Sequence, residues 1–208
     1  MSAQFDHLVV GIRSLAEGTA HFARLTGVSP VAGGMHPGRG TENALVSLGP
    51  GEYLEIIAPQ AEARLSDSDA KLRGLDRLTV VAWAVAVDNA DTARETLKAA
   101  GFPTTVPQHG SRVAPSGERL EWEVFRLSDA KIVGAPFFIE WSETTTHPSI
   151  TAPAGCSRER FRIQTPASDR ISKMLHAIDL GGVSVTSGAH AIEAVVTCGP
   201  RRAILMGQ

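Results

Sequence analysis

Two periods of apolar residues alternate along the chain, one of about two residues and one of about 3.6, and their order predicts strand, helix, then strands. Residues 5–10 (FDHLVV) are rich in β-branched and aromatic side chains and read as a strand. Ser14 and Glu17 have capping-box spacing, and Leu15, Phe22 and Leu25 make a short amphipathic helix that ends near Gly27. GGMHPGRG, rich in Gly and Pro, reads as a loop. Residues 43–48 and 53–57 are then two strands joined by Gly49-Pro50-Gly51.

The same order recurs twice. Residues 79–87 (TVVAWAVAV) read as a strand, Asp88 or Asn89 caps a helix carrying Ala93, Leu97 and Ala100, and Gly101 stops it. Residues 119–127 and 136–141 are later strands, with Pro115-Ser116-Gly117 as a turn between neighbours. A shorter copy follows: a strand at 160–164, a helix at 168–178 with Ile171, Met174, Leu175 and Ile178 on one face, a Gly181-Gly182 stop, and strands at 192–197 and 202–206. Gly27 and Gly101 lie 74 residues apart, and that offset also lays Ser14 on Asp88. Internal similarity at such a period is the strongest organisational signal in the chain. The expectation is an α+β protein: tandem βαβββ modules at residues 1–60 and 79–143 form a cupped mixed sheet, with a third, partial βαββ module at 160–208. Residues 60–78 and 143–159 are connectors.

The repeated pattern sharpens one question. YLEIIAP, residues 53–59, sets Glu55 amid apolar neighbours, and FFIEWSE, residues 137–143, does the same with Glu140, 85 residues on (55 to 140). Side chains alternate faces along a strand, so Leu8, Val10, Leu54 and Ile56 suit the face that the helix covers. Tyr53, Glu55 and Ile57 then share the other face, as do Phe5, His7 and Val9. By the same reasoning Glu140 shares a face with Phe138 and Ser142. Two sheets related by a pseudo-twofold would make a cup whose inner wall carries His7, Glu55 and Glu140. A buried carboxylate is costly unless it meets a cation, a hydrogen-bond donor or a proton.

Composition narrows the partners. At 208 residues with 43% hydrophobic and 20% charged residues, the chain is an ordinary globular one able to bury a core. Net charge is −2 without a basic block, which argues against a nucleic-acid partner. The start MSAQFDHLVV lacks the features of a signal peptide, and no apolar run approaches a bilayer span. Cys156 and Cys198 are far apart and outside CxxC spacing, so they predict neither a zinc site nor a disulfide framework, and a cytoplasmic location is expected. The Gly-rich GGMHPGRG lacks the Lys-Ser/Thr of a P-loop and the dinucleotide spacing.

The modules, with His on a first strand and Glu on last strands, resemble the vicinal oxygen chelate superfamily, which includes glyoxalase I, extradiol dioxygenases, epimerases and drug-binding resistance proteins. Within it the chain is most similar to glyoxalase-like domain proteins, through FDHLVV, HPGRGTENALVSLG, YLEIIAP, AWAV and PFFIEW in that order. The resemblance implies metal ligands at His7, Glu55 and Glu140. The fourth position falls on Val81 or Ala82, with Trp83 nearby, and none of these can ligate; this departs from glyoxalase I, with four ligands, and from the iron dioxygenases, with two histidines and a carboxylate. One histidine and two carboxylates imply a divalent ion such as zinc, manganese, nickel or magnesium, with Glu140 also moving a proton.

Two functions follow. One is a metal-assisted lyase or isomerase acting on a small, oxygen-rich metabolite; the other is a metal-free protein that sequesters a drug or metabolite in the same cup. Asn43, Arg39, Trp83 and Phe138 are candidate substrate contacts, although Trp83 and Trp141, at strand centres, also read as core aromatics. His36, His109 and His147 read as solvated loop histidines, and Arg112 and Arg119 as surface or structural residues. A monomer or a homodimer could build the cup.

Overall fold

The Ser14 hydroxyl accepts a hydrogen bond from the Glu17 amide at 3.3 Å, and Gly27 closes the same helix in the left-handed region at φ 79°. These caps bound α1 (Leu15–Thr26), which follows β1 (Ala3–Gly11) and precedes β2 (Val31–His36), β3 (Thr41–Gly49) and β4 (Glu52–Pro59). In the second unit Asn89, rather than Asp88, is the cap, accepting from the Thr92 amide at 2.9 Å. That unit is β5 (Thr79–Val87), α2 (Ala90–Ala99), β6 (Gln108–Val113), β7 (Arg119–Arg126) and β8 (Phe137–Trp141). After the one-turn α3 (Pro148–Thr151) come β9 (Cys156–Thr165), α4 (Ser168–Ala177), β10 (Ser184–Ser187), β11 (Ala191–Cys198) and β12 (Arg201–Gly207). This computed structural model describes residues 2–36, 38–67 and 69–207. Pro37 of the expected loop and Ser68 of the expected connector lie outside the described residues, as do Met1 and Gln208 of the first and third modules.

All twelve strands join one mixed sheet, ordered β10-β9-β11-β12-β5-β1-β4-β3-β2, with β8, β7 and β6 branching from β5. β1 pairs in parallel with β4 and antiparallel with β5, as β5 pairs in parallel with β8. The caps Ser14 and Asn89 lie 75 residues apart (14 to 89), and this offset exchanges the cross-strand pairs His7↔Ala84 and Val9↔Ala82. The two modules are therefore related by a pseudo-twofold at the β1–β5 seam. Helices cover one face, and Leu8, Val10, Leu54, Ile56 and Phe22 share a continuous core there with Ala93, Leu97 and Trp83. The other face is concave, and the expected α+β architecture with a cupped mixed sheet is the one observed.

The strands β2, β6 and β10, which the sequence reading does not contain, have local causes. The first half of the glycine-rich segment expected as a loop belongs to β2, whose register slips between Ala32 and Gly34. Its glycines serve close approach: a Cβ on Gly34 would lie 2.6 Å from the Val113 carbonyl oxygen of β6. The free edges of β2 and β6 thus meet and close the cup, with Arg112 donating to the Gly33 carbonyl. The third unit contains a fourth strand, the short, polar β10, so it is βαβββ rather than βαββ. Its pairing also differs, because β9 lies between β10 and β11, and the unit extends the sheet through β12 beside β5.

Cys156 and Cys198 form a disulfide, which corrects the expectation that they stay unpaired. They occupy cross-strand positions of β9 and β11 with Cα atoms 4.1 Å apart, a proximity that sequence spacing does not reveal. Among the described residues no helix is long and apolar enough to cross a membrane.

Candidate active site in the cup

Glu55 projects from the centre of β4 into a cavity of about 600 Å³ on the concave face, and is only 8% exposed. Strand alternation places it there with Tyr53 and Ile57, and β1 contributes His7 and Val9 from alongside. Asn43 on β3 donates to Glu55 Oε1 at 2.6 Å. His36 Nε2 stands 3.4 Å from the same oxygen, and His7 Nε2 stands 3.8 Å from Oε2. The last distance exceeds a hydrogen bond, so His7 and Glu55 face each other without being joined.

Each histidine is fixed from behind. His36 Nδ1 lies 2.9 Å from the Thr41 hydroxyl, and Asn43 Nδ2 lies 3.3 Å from its Nε2. A neutral ring with the proton on Nδ1 satisfies both contacts, and burial, opposed by the charge of Glu55, holds His36 below its ordinary value. His7 donates through Nδ1 to Asp6 Oδ1 in a very short contact, stacks on Tyr53 with centroids 4.4 Å apart, and meets the edge of Phe137. Asp6 is fully buried; its Oδ2 accepts from Trp141 Nε1 at 3.0 Å and from His147 Nε2 at 3.1 Å. Burial raises its pKa, but the His147 and His7 contacts prevail and lower the Asp6 pKa to about 2. Burial likewise opposes ionisation of Glu55, and the electrostatic influence of the neighbouring His36 and His7 with the Asn43 amide hydrogen bond outweighs it and lowers its pKa.

Asp6 reaches this network because β1 carries a bulge. Phe5 pairs with Val85 and His7 with Ala84, leaving Asp6 as the extra residue. Simple alternation would send Asp6 to the helix face, which is why the sequence reading passed over it.

Of the expected site residues, the cavity gathers His7, Glu55, Asn43 and Arg39. Arg39 is paired with Asp69 through two hydrogen bonds of 3.0 and 2.8 Å. Glu140, expected as ligand and base, is elsewhere: its carboxylate accepts from the Ala90 amide at 2.7 Å, at the N-terminus of α2 on the helix side. The register explains the displacement. Val9 pairs with Glu55, and Ala84, which stands 75 residues beyond Val9, pairs with Phe137. Phe137 therefore occupies the place of Glu55 in the second module, and Glu140, three residues further, points to the opposite face. Trp83 and Phe138, expected against substrate, are in the core: Trp83 donates to the Gly134 carbonyl at 2.9 Å and Phe138 stacks on Phe125.

Four residues read as peripheral line or support the site. His36 is buried on β2 and Arg112 is buried on β6, both in the cavity wall. His147 caps α3 and closes the Asp6 network. His109, exposed on β6, also lines the cavity.

Residues 5–178 match the glyoxalase-like domain family. The chain belongs to that family, and through it to the vicinal oxygen chelate superfamily. No curated protein matches the chain. A hypothetical protein from Staphylococcus aureus superposes with a TM-score of 0.73 at 14% identity, covering 100% of this chain and 99% of that one. A hypothetical protein from Bacillus halodurans gives 0.51 at 16% identity over 70% and 99% of the two chains. A methylmalonyl-CoA epimerase, solved with methylmalonyl-CoA, gives 0.50 at 14% identity over 70% and 99%. At these identities the likeness shows the fold.

The glyoxalase-like protein does not assemble the expected metal set of His7, Glu55 and Glu140. Glu140 lies across the sheet, Ala82 takes the position matching His7, and Asn43 occupies one Glu55 oxygen. Among the described residues no group of three or more His, Cys, Asp or Glu is arranged to hold a metal ion. What the cup offers is a general catalytic or ligand-binding surface with a histidine and a carboxylate facing each other across it.

Proposed function

We propose that this glyoxalase-like protein binds a small, oxygen-rich metabolite in the cup and moves a proton on it, as an isomerase or lyase does. The observation that carries this reading is the facing pair: His7 Nε2 and Glu55 Oε2, 3.8 Å apart, each anchored from behind and each open to the cavity. Asp6 holds the Nδ1 proton of His7, which leaves Nε2 as an acceptor, and Asn43 orients Glu55. One member removes a proton from a carbon beside a carbonyl and, now carrying it, returns that proton to a neighbouring carbon of the enolate, giving migration of a bond, while the other accepts a hydrogen bond from the substrate. Buried surroundings strengthen both interactions by excluding water.

The test is proton exchange. Wild type and Glu55→Gln are incubated in deuterated buffer with α-oxo-aldehydes, hydroxy acids and catechols, and loss of the C–H resonance is followed by NMR. Wild type should exchange at least one substrate, and Glu55→Gln should slow that exchange about 100-fold or more while still binding. A second reading, sequestration without turnover, draws support from the aromatic wall of Tyr53, Trp122, Phe137 and Trp141. Tight binding with no exchange in wild type would decide for it.

A further inference from the structure

The cavity wall carries more positive charge than its own carboxylates neutralise. Four cations line it, Arg39, Lys71, Arg112 and Arg126, against two carboxylates, Glu55 and Asp69. Asp69 is taken by Arg39 and the Ser66 hydroxyl, and Glu55 by Asn43 between two histidines. Among the described residues, Arg112, Lys71 and Arg126 form no ion pair. The chain as a whole carries −2, so this surplus is a local arrangement and not a reflection of composition.

Arg112 is the informative member. It is only 4% exposed, and its side chain makes one hydrogen bond among the described residues, to the Gly33 carbonyl. A guanidinium has five N–H donors in a rigid fork, and burying it without an anionic partner is costly. Arg126 lies over the Phe137 ring with its Cζ 4.8 Å from the centroid, and Phe137 in turn meets the edge of His7. Phe137 thus links the arginine end of the cavity to the proton-transfer pair, and Trp122, Val124 and Ile139 supply apolar surface around it.

We infer that the ligand is a small organic anion, with its carboxylate or phosphate held by Arg112 and attracted by Arg126 and Lys71, and an apolar body against Phe137. The inference rests on the proton-transfer reading only for the placement of the reacting carbon beside His7 and Glu55. Bidentate pairing of an anion with the Arg112 fork would satisfy the donors that the described residues leave unused.

Binding of phenylpyruvate, its methyl ester and inorganic phosphate is measured by titration calorimetry on wild type, Arg126→Gln and Arg112→Lys, with circular dichroism to verify folding. The acid should bind about tenfold or more tighter than the ester, and its affinity should fall as salt rises. Arg126→Gln, at an exposed position, should weaken the acid several-fold and leave the ester unchanged; Arg112→Lys keeps the charge, loses the fork and should weaken the acid further. Phosphate binding with the same salt and Arg126 dependence, and no binding of the acid, would assign the anion site to a phosphoryl group. Equal affinity for acid and ester, or no anion bound at millimolar concentration, would overturn the inference. The two readings fail separately: an acid that binds without exchanging its C–H proton leaves the anion site standing, and an ester that binds and exchanges like the acid removes it while leaving proton transfer intact.

Discussion

Asp6→Asn should destabilise the protein in a pH-dependent way. The Asp6 carboxylate is fully buried and accepts from His7, His147 and Trp141; its pKa lies at about 2 against an ordinary 3.8. At about 1.4 kcal/mol per pH unit, that depression corresponds to stability on the order of 2 kcal/mol. A depressed carboxyl contributes in full above its unfolded value, here 3.8, and the contribution is lost as pH falls through the folded value of about 2. Asparagine preserves the shape but turns an N–H₂ group toward one of the three donors, so the variant forfeits the contribution at neutral pH. Urea unfolding of both proteins, disulfide intact, should give a gap of roughly 2 kcal/mol or more at pH 7 that narrows to a small fraction between pH 4 and pH 2. A gap that is absent at pH 7, or that persists unchanged at pH 2, would refute the account of Asp6 as a buried, ionised anchor. Because Asp6 fixes the tautomer of His7, the variant should also lose proton exchange on any substrate that wild type turns over.

Glu140→Gln tests the reassignment of that residue. Removing a charge from the N-terminus of α2 should cost about 0.5–1 kcal/mol in urea unfolding and leave ligand affinity and proton exchange unchanged, whereas a site residue would lose both. Gly33→Ala places a Cβ 2.4 Å from Asn43 Oδ1 and 2.9 Å from Leu45 Cγ, so it should push Asn43 off Glu55 and weaken ligand binding measured by calorimetry. Reducing Cys156–Cys198, which closes a separation of 42 residues, should cost up to about 4 kcal/mol by the chain-entropy argument. Urea midpoints with and without a phosphine reductant read this directly, and coincident curves would mean that the bond contributes nothing to folding.

The parts of the fold that were legible share a local origin. Helix caps at Ser14 and Asn89, the stop at Gly27 and the apolar face of Leu8, Val10, Leu54 and Ile56 depend on residues within a few positions of one another. The missed strands β2, β6 and β10 are glycine-rich or polar edge strands, and they exist because a neighbour pairs with them. The site was legible to the same degree. Alternation along β1 and β4 brings His7 and Glu55 to one face, but β1 bulges at Asp6, and alternation has no term for a bulge.

By itself, then, the sequence determined the repeated modules, the face of the sheet that meets the helices, and a histidine and a glutamate on the other face, because backbone periodicity and capping act over short range. Tertiary structure decided everything that depends on register between distant strands. Pairing of Ala84 with Phe137 sent Glu140 to the helix side, the meeting of β2 and β6 buried His36 and Arg112 in the wall, and the alignment of β9 with β11 brought two distant cysteines together. Register is set by which residues lie opposite one another, and a shift of one position reverses the face of every side chain on the strand.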